Sequence, residues 1–372
     1  MRVIMTCGGT GGHINPAIAI ANTIKKHNPD AEILFVGTKK GQEGKLVPRE
    51  GYPIKFVKSE GIRRSLSPAN IKALIMAKLS PIFARKIIRE FDPDIVIGTG
   101  GYACWPILKA AAKLKVPCMV HESNAIPGMA VKMLQKSVDK ILVNFDRTTD
   151  FLTEKHKVLK VGNPLRTAFD NMDKNAVRQQ MGISPDNFFV LSYGGSGGAE
   201  YLNKVVVELM AKYLPEKANV RVLHAAGARN YNETFEAYKA LGADKIKNAE
   251  LAEYIYDMHM KMSAADLVIC RAGAMTVSEL SMMGKAAIII PSPNVVDNHQ
   301  YKNAKVLADA DAAVLMEEKD VDADSLWSEI EKLESSPKQR ESFEHNIKQF
   351  AQTDANERIY SEVLKLIEEK KK

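Results

Sequence analysis

Two glycine-rich turns, Gly8-Gly9-Thr10-Gly11-Gly12 and Gly194-Gly195-Ser196-Gly197-Gly198, lie about half a chain apart. Each follows a short apolar run, Val3 to Cys7 and Phe188 to Tyr193, and leads into a helical pattern. A strand that turns on glycines into a helix N-terminus forms an anion site. The missing Cβ atoms admit a phosphate to the backbone N–H groups, and the helix dipole favours negative charge there. The duplicated device points to two similar α/β domains and a phosphate-bearing ligand. His13 follows the first turn directly, where it either packs the turn or serves as a general base. Two more polar clusters follow apolar runs, Thr99-Gly100-Gly101-Tyr102 and His121-Glu122-Ser123-Asn124. Loops at the carboxyl ends of parallel strands are where such sheets bind ligands. His13, Tyr102, Glu122 and Asn124 are therefore expected to form an acceptor site.

In the second half, the run Leu267 to Cys270 leads into Arg271-Ala272-Gly273-Ala274-Met275-Thr276-Val277-Ser278-Glu279. Small residues and hydroxyls at a helix start make another phosphate cradle. Glu279, in the first turns, can accept hydrogen bonds from both hydroxyls of a ribose. Asp297-Asn298-His299-Gln300 supplies a polar cluster that could reach a sugar.

Other chemistries fit poorly. A dinucleotide fingerprint needs a third glycine at position 14, which is Ile14, and an acid after the second strand, where Gly37-Thr38 stands. No Gly-Lys-Ser/Thr follows either turn, which excludes a Walker loop. Asp92-Pro93-Asp94 precedes its strand, while Asp309/Asp311 and Asp322/Asp324 lie in solvated stretches, so no catalytic metal and no cofactor are expected. Helix termini and arginines would hold a diphosphate instead. Cys7, Cys104, Cys118 and Cys270 lack metal-ligand spacing and read as reduced structural thiols of a cytosolic protein.

These loops need a frame of strands and helices. At 372 residues, with 45% hydrophobic content, the chain suits two domains. Apolar runs near 2–7, 32–37, 54–57, 94–98, 116–121 and 138–143 alternate with amphipathic helices, and those near 188–193, 220–225, 266–270, 286–290 and 312–315 repeat the style. The class is α/β with parallel sheets. Asn163-Pro164 marks the domain boundary. The polar tail from Pro337 reads as helical, with an apolar stripe of Ile359, Val363, Leu364 and Ile367. Neither a secretory signal nor a spanning run of ~20 apolar residues is evident.

Charge is unevenly placed. Residues 1–163 carry 26 Lys and Arg against 13 Asp and Glu, and the remainder 26 against 32. The segment Gly61 to Arg89 holds seven cations and no acid. Its apolar residues recur at near-helical spacing, and Ser67-Pro68 and Ser80-Pro81 each read as a cap with a first-turn proline, predicting two short helices. An apolar stripe flanked by cations suits an anionic membrane surface; the alternative is an ordinary helix with a solvated face. Lys72, Ile75, Lys78, Leu79, Phe83, Arg85 and Lys86 would make that contact. No recognition motif or aromatic platform supports nucleic-acid binding.

Taken in order and spacing, Gly8 to His13, Gly100-Gly101-Tyr102, His121 to Asn124, Gly162-Asn163-Pro164-Leu165-Arg166, Gly194 to Ala199 and Gly273 to Glu279 resemble the bacterial family-28 N-acetylglucosaminyltransferases. These enzymes transfer N-acetylglucosamine from its UDP donor to undecaprenyl-diphospho-N-acetylmuramoyl-pentapeptide. The resemblance covers nearly the whole chain. It implies a GT-B fold, two Rossmann-like domains with parallel sheets facing a deep cleft. The N-terminal acceptor and membrane-facing domain would span 1–163 plus about 350–372, and the C-terminal donor domain 164–349. It further implies that Thr10, Gly11 and Gly12 contact the donor, with Asn124 near the sugar, and that Arg166 and Ser196 bind the diphosphate side. Ile255 would meet uracil through its backbone, Ala274, Met275, Thr276, Val277 and Ser278 would cradle phosphate, Glu279 would take the ribose and Gln300 the sugar hydroxyls. The second turn departs from the family pattern, with Gly197 where many relatives carry Gln. The expected chemistry is inverting and metal-independent, with His13 as first choice of base and Glu122 as second. The implied setting is peripheral, at the cytoplasmic face of the cell membrane, in peptidoglycan synthesis, with partners among cell-wall proteins. A UDP-N-acetylglucosamine epimerase, another glycolipid synthase of this fold, or a non-catalytic two-domain binding protein are the alternatives.

Overall fold

The computed structural model describes residues 1–57, 68–166, 172–295 and 298–371, with the backbone alone for 68–79 and 371. Contacts divide the chain into two units, Met1–Arg166 with Gln352–Lys372, and Thr167–Ala351.

In unit 1 the described strands are β1 (Arg2–Thr6), β2 (Glu32–Gly37), β3 (Ile54–Phe56), β4 (Ile95–Gly98), β5 (Cys118–Glu122), β6 (Lys140–Val143) and β7 (Val158–Lys160). They form one parallel sheet in the order β3-β2-β1-β4-β5-β6-β7. Its helices are α1 (Gly11–His27), α2 (Glu43–Arg49), α3 (Pro68–Phe91), α4 (Cys104–Lys113) and α5 (Met129–Leu134). Strands buried on both faces read as continuous apolar runs, which is why they are legible. Val3, Met5, Ile33, Phe35, Ile95 and Ile97 pack towards α1. Ile4, Leu34, Val36 and Val96 pack on the other face with Ala84 and Ile88 of α3 and Ile107 and Leu108 of α4.

Unit 2 repeats the plan. Its strands β8 (Phe188–Tyr193), β9 (Val220–Ala225), β10 (Ala249–Ala252), β11 (Leu267–Cys270), β12 (Ala287–Ile289) and β13 (Val314–Leu315) lie parallel in the order β10-β9-β8-β11-β12-β13. Its helices are α6 (Lys174–Gln180), α7 (Glu200–Tyr213), α8 (Tyr231–Ala240), α9 (Met258–Ala264), α10 (Ala274–Met283), α11 (His299–Asp309), α12 (Ala323–Ser335) and α13 (Pro337–Lys348). The last helix, α14 (Ala355–Lys371), belongs to unit 1.

Three expectations need correction. Two edge strands are missed by the sequence: β7, three residues long and largely exposed, and β10, whose Ala-Glu-Leu-Ala has no β-branched residue. The segment around Pro81 is one helix, not two. A mid-helix proline costs about 3 kcal/mol, and burial of Ala84 and Ile88 on the sheet offsets it. In α14 the buried stripe is Ile359, Val363, Leu366 and Ile367, whereas Leu364 is 39% exposed. That stripe closes the α1 face of the unit 1 core. Ile359→Ala should therefore destabilise unit 1 by roughly 2–5 kcal/mol, read as an early loss of its melting transition. Equal stability of variant and parent would show that α14 is not part of that core.

Candidate functional site

Each sheet reverses strand order beside its first strand, between β1 and β4 and between β8 and β11. A crevice at the carboxyl ends of the strands opens at such a reversal. The predicted polar turns sit there: residues 8–12 after β1 and 99–102 after β4, then 194–198 after β8 and 271–273 after β11. The helices that leave three of these turns, α1, α7 and α10, are preceded by Thr10, Ala199 and Gly273, none of which makes a side-chain capping bond. Helix starts without a capping side chain suit an external anion.

His13 is the third residue of α1 and half-buried. Its Nδ1 lies 3.0 Å from the Thr99 carbonyl oxygen, and Thr99 Oγ1 donates to the His13 carbonyl at 2.6 Å. A carbonyl only accepts, so Nδ1 carries a proton, and in the neutral ring Nε2 then holds the lone pair. That is the tautomer a base requires. The ring rests on Gly100, where a Cβ would lie 2.6 Å from Nδ1, and φ at Gly100 is +100°. Only glycine suits that position.

Glu122, at the end of β5, is buried and committed to its own loop. One carboxylate oxygen accepts from the Asn124 N–H and the Asn124 side-chain amide, both at 2.9 Å; the other accepts from the Gly128 N–H at 2.7 Å. It shapes the turn that presents Asn124 and starts α5. Neighbouring His121 is fully buried and donates from Nε2 to the Gly162 carbonyl at 2.8 Å.

In the first glycine turn the N–H of Gly9 donates to the protein's own Glu43, at 3.1 Å from Oε2. Thr10 and Gly12 are exposed, and Gly11 is buried. Sequence reasoning missed Glu43. Its signal is the pattern Gly37-Thr38…Gly41-Gln42-Glu43 directly after β2. Arg166 ends unit 1, where its guanidinium pairs with Glu50.

In unit 2, Ala274, Met275, Thr276, Val277 and Ser278 form the first turns of α10, with Glu279 sixth in the helix and 8% exposed. Glu279 and Cys270 lie close enough to Tyr193, at the end of β8, to add to the upward push that burial gives its phenol. The acid thus stands at the strand reversal. Ser196 sits in the second turn, half-buried. The Ile255 side chain is buried while Tyr254 and Tyr256 pack beside each other, ring centroids 4.7 Å apart. Gln300, second in α11, accepts from the Ser292 N–H at 2.9 Å. Asp297 lies outside the described residues. The buried His224, also missed, bonds to Ser192 and to Asn203 of α7, tying that helix to the sheet.

His121 and His224 are both pulled down to about 4 by burial. The unfolded chain takes up these protons near pH 6.5 and the folded chain only near 4, so stability is full above 6.5 and lost as pH falls through that window. Melting temperature should drop steeply between pH 6.5 and 4.5, and less steeply in His224→Gln. Parallel slopes would reject that coupling.

Of the segment predicted to meet a membrane, the side chains of Lys72, Ile75, Lys78 and Leu79 lie outside the described residues. Ile82 and Phe83 of α3 are 56% and 58% exposed. Lys86 is exposed and Arg85 half-buried. No described helix is long and apolar enough to cross a membrane.

Two doubly wound parallel sheets, each with a glycine turn at its strand reversal, define the GT-B architecture of nucleotide-sugar enzymes. Residues 3–143 match the glycosyltransferase family 28 N-terminal domain and residues 189–359 its C-terminal domain. The chain belongs to glycosyltransferase family 28. It is 42% identical, over 98% of both chains, to the UDP-N-acetylglucosamine–N-acetylmuramyl-(pentapeptide) pyrophosphoryl-undecaprenol N-acetylglucosamine transferase of Acetivibrio thermocellus. The enzyme of that name from Alkaliphilus oremlandii is 39% identical over the full length of both. The crystal structure of Acinetobacter baumannii MurG matches 98% of this chain and 99% of its own, with TM-score 0.71 and 27% identity. A Neisseria meningitidis UDP-GlcNAc 2-epimerase shares the fold at TM-score 0.67 and only 13% identity.

Proposed function

We propose that this protein transfers N-acetylglucosamine from UDP-N-acetylglucosamine to undecaprenyl-diphospho-N-acetylmuramoyl-pentapeptide, releasing UDP and forming the disaccharide lipid precursor of peptidoglycan. The observation that carries it is identity near 40% over the whole of both chains with transferases of that name. The epimerase alternative has only a likeness of fold behind it.

In the reaction, the C4 hydroxyl oxygen of N-acetylmuramic acid attacks C1 of the donor sugar. The C1–O bond to UDP breaks, its electron pair stays on the diphosphate, and configuration at C1 inverts. His13 Nε2 takes the hydroxyl proton; the Thr99 carbonyl holds the ring in the competent tautomer. Glu122 is the positioning residue of the acceptor loop, since three donors already occupy its carboxylate. Thr10, Gly11, Gly12 and Asn124 contact donor groups. Arg166, Ser196 and the start of α10 from Ala274 to Ser278 hold the diphosphate, without a metal ion. Glu279 takes the ribose hydroxyls, the Ile255 backbone the uracil, and Gln300 the sugar. The test is incubation with labelled UDP-N-acetylglucosamine and the lipid-linked muramoyl-pentapeptide in excess chelator, following UDP and glycolipid together. Stoichiometric formation of both is expected. UDP release without glycolipid, or a requirement for added magnesium, would overturn the corresponding part.

The protein works as a peripheral enzyme on the cytoplasmic membrane face, with α3 as contact. Support comes from the acid-free stretch 61–89 and from the exposed Ile82, Phe83 and Lys86. Each cation near an anionic surface contributes about 1 kcal/mol, fading as salt shortens the screening length. Exchanging Lys72, Lys78, Arg85 and Lys86 for Glu should abolish binding to anionic vesicles while a short-chain soluble acceptor is still glycosylated. Equal vesicle binding by variant and parent would return α3 to an ordinary solvated helix.

A further inference from the structure

Glu43, the first residue of α2, is fully buried, with no cation bonded to it among the described residues. Three hydrogen bonds compensate it. Oε2 accepts from the Gly9 N–H, and Oε1 accepts from the Thr38 N–H and the Thr38 hydroxyl, both at 2.8 Å. The chain makes room for it on purpose-shaped backbone: a Cβ on Gly37 would lie 2.5 Å from Glu43 Cγ, and one on Gly41 would lie 1.9 Å from Oε2. One N–H of the first glycine turn, that of Gly9, is thus satisfied by a side chain of the protein itself.

The direction of the bonds carries the consequence further. Thr38 spends its hydroxyl proton on Glu43, so at 3.1 Å from Tyr102 its oxygen accepts, and the Tyr102 phenol donates. From the same turn, the His13 N–H donates to the Thr10 carbonyl at 3.0 Å. One carboxylate thus sets both the backbone from which His13 extends and the hydrogen-bonding polarity of Tyr102.

We propose that Glu43 is a positioning residue of the acceptor site, fixing His13 through Gly9 and, through Thr38, the orientation of the Tyr102 phenol beside it. The acceptor-site assignment rests on the function proposed above.

The experiment compares Glu43→Gln and Thr38→Val with the parent, using labelled UDP-N-acetylglucosamine and the lipid-linked muramoyl-pentapeptide, together with UDP calorimetry and amide hydrogen exchange. Glu43→Gln turns an amide N–H towards a backbone donor. It should lower kcat roughly tenfold or more, speed exchange in residues 8–13, and leave UDP affinity and exchange in residues 194–200 unchanged. Thr38→Val keeps the Gly9 anchor; it should leave exchange in 8–13 alone and raise the acceptor KM several-fold with kcat held. Parent-like turnover in a folded Glu43→Gln, or parallel losses of turnover and UDP affinity, would overturn the proposal. If Glu43→Gln does not fold, a parent-like acceptor KM in Thr38→Val overturns it instead. A parent that fails to glycosylate the acceptor refutes the proposed function, while the exchange comparison still decides whether Glu43 anchors the turn.

Discussion

Replacing His13 by alanine lowers turnover by roughly 10²–10⁴-fold, the usual worth of a positioned general base, with UDP affinity almost unchanged. The base assignment follows from bond direction. Thr99 offers a carbonyl to Nδ1, so a proton sits there, and in the proposed reaction Nε2 of the neutral ring receives the one leaving the acceptor hydroxyl. Rate measurements at saturating donor and acceptor, with UDP calorimetry as control, separate chemistry from binding. Glu122→Gln tests the competing assignment. Its carboxylate already accepts three bonds, so this change should disturb the 122–128 loop and weaken acceptor binding more than it slows the chemical step. If His13→Ala turns over like the parent and Glu122→Gln abolishes transfer at saturating acceptor, the two roles must be exchanged.

Replacing Glu279 by alanine weakens UDP binding by roughly 1–3 kcal/mol, about 5- to 150-fold. The carboxylate is almost fully enclosed in the second turn of α10, so a bound ribose would lose two hydrogen bonds and find little water in exchange. The nucleoside moiety should carry the effect: UDP and uridine lose equal free energy, while a deoxyribose analogue lacking one hydroxyl loses less. Parent-like UDP affinity would remove Glu279 from the ribose site. Folding should stay near normal, because no core apolar contact is deleted.

Much of the frame was legible because both sheets are buried on two faces. Runs such as Val3-Ile4-Met5 and Val190-Leu191 cannot alternate with polar residues, and they end where glycines and polar turns begin. The edge strand Ala249–Ala252 has no such run and was invisible. Pro81 misled for a related reason: local chemistry said stop, and packing of Ala84 and Ile88 carried the helix through. In the site, residues within one turn could be grouped by eye, as with Thr99 to Tyr102 or Ala274 to Glu279. Glu43 could not, because its partners Gly9, Thr38 and, through Thr38, Tyr102 come from separate turns that only the strand order β2-β1-β4 brings together. The assignment of Glu122 turned on which donors its oxygens meet, which sequence spacing does not encode.

The position of α14 has a bearing on synthesis. Unit 2 is one continuous stretch of chain, but unit 1 is completed by residues 352 onward. As the polypeptide leaves the ribosome, the α1 face over β1 and β2 stays uncovered until Ile359, Val363, Leu366 and Ile367 emerge. The segment made first is therefore finished last, and unit 2 can fold while unit 1 still waits. A stop codon near residue 352 should leave the nascent unit 1 with an open apolar flank, sensitive to chaperones and proteases, although every residue proposed for catalysis has already been translated.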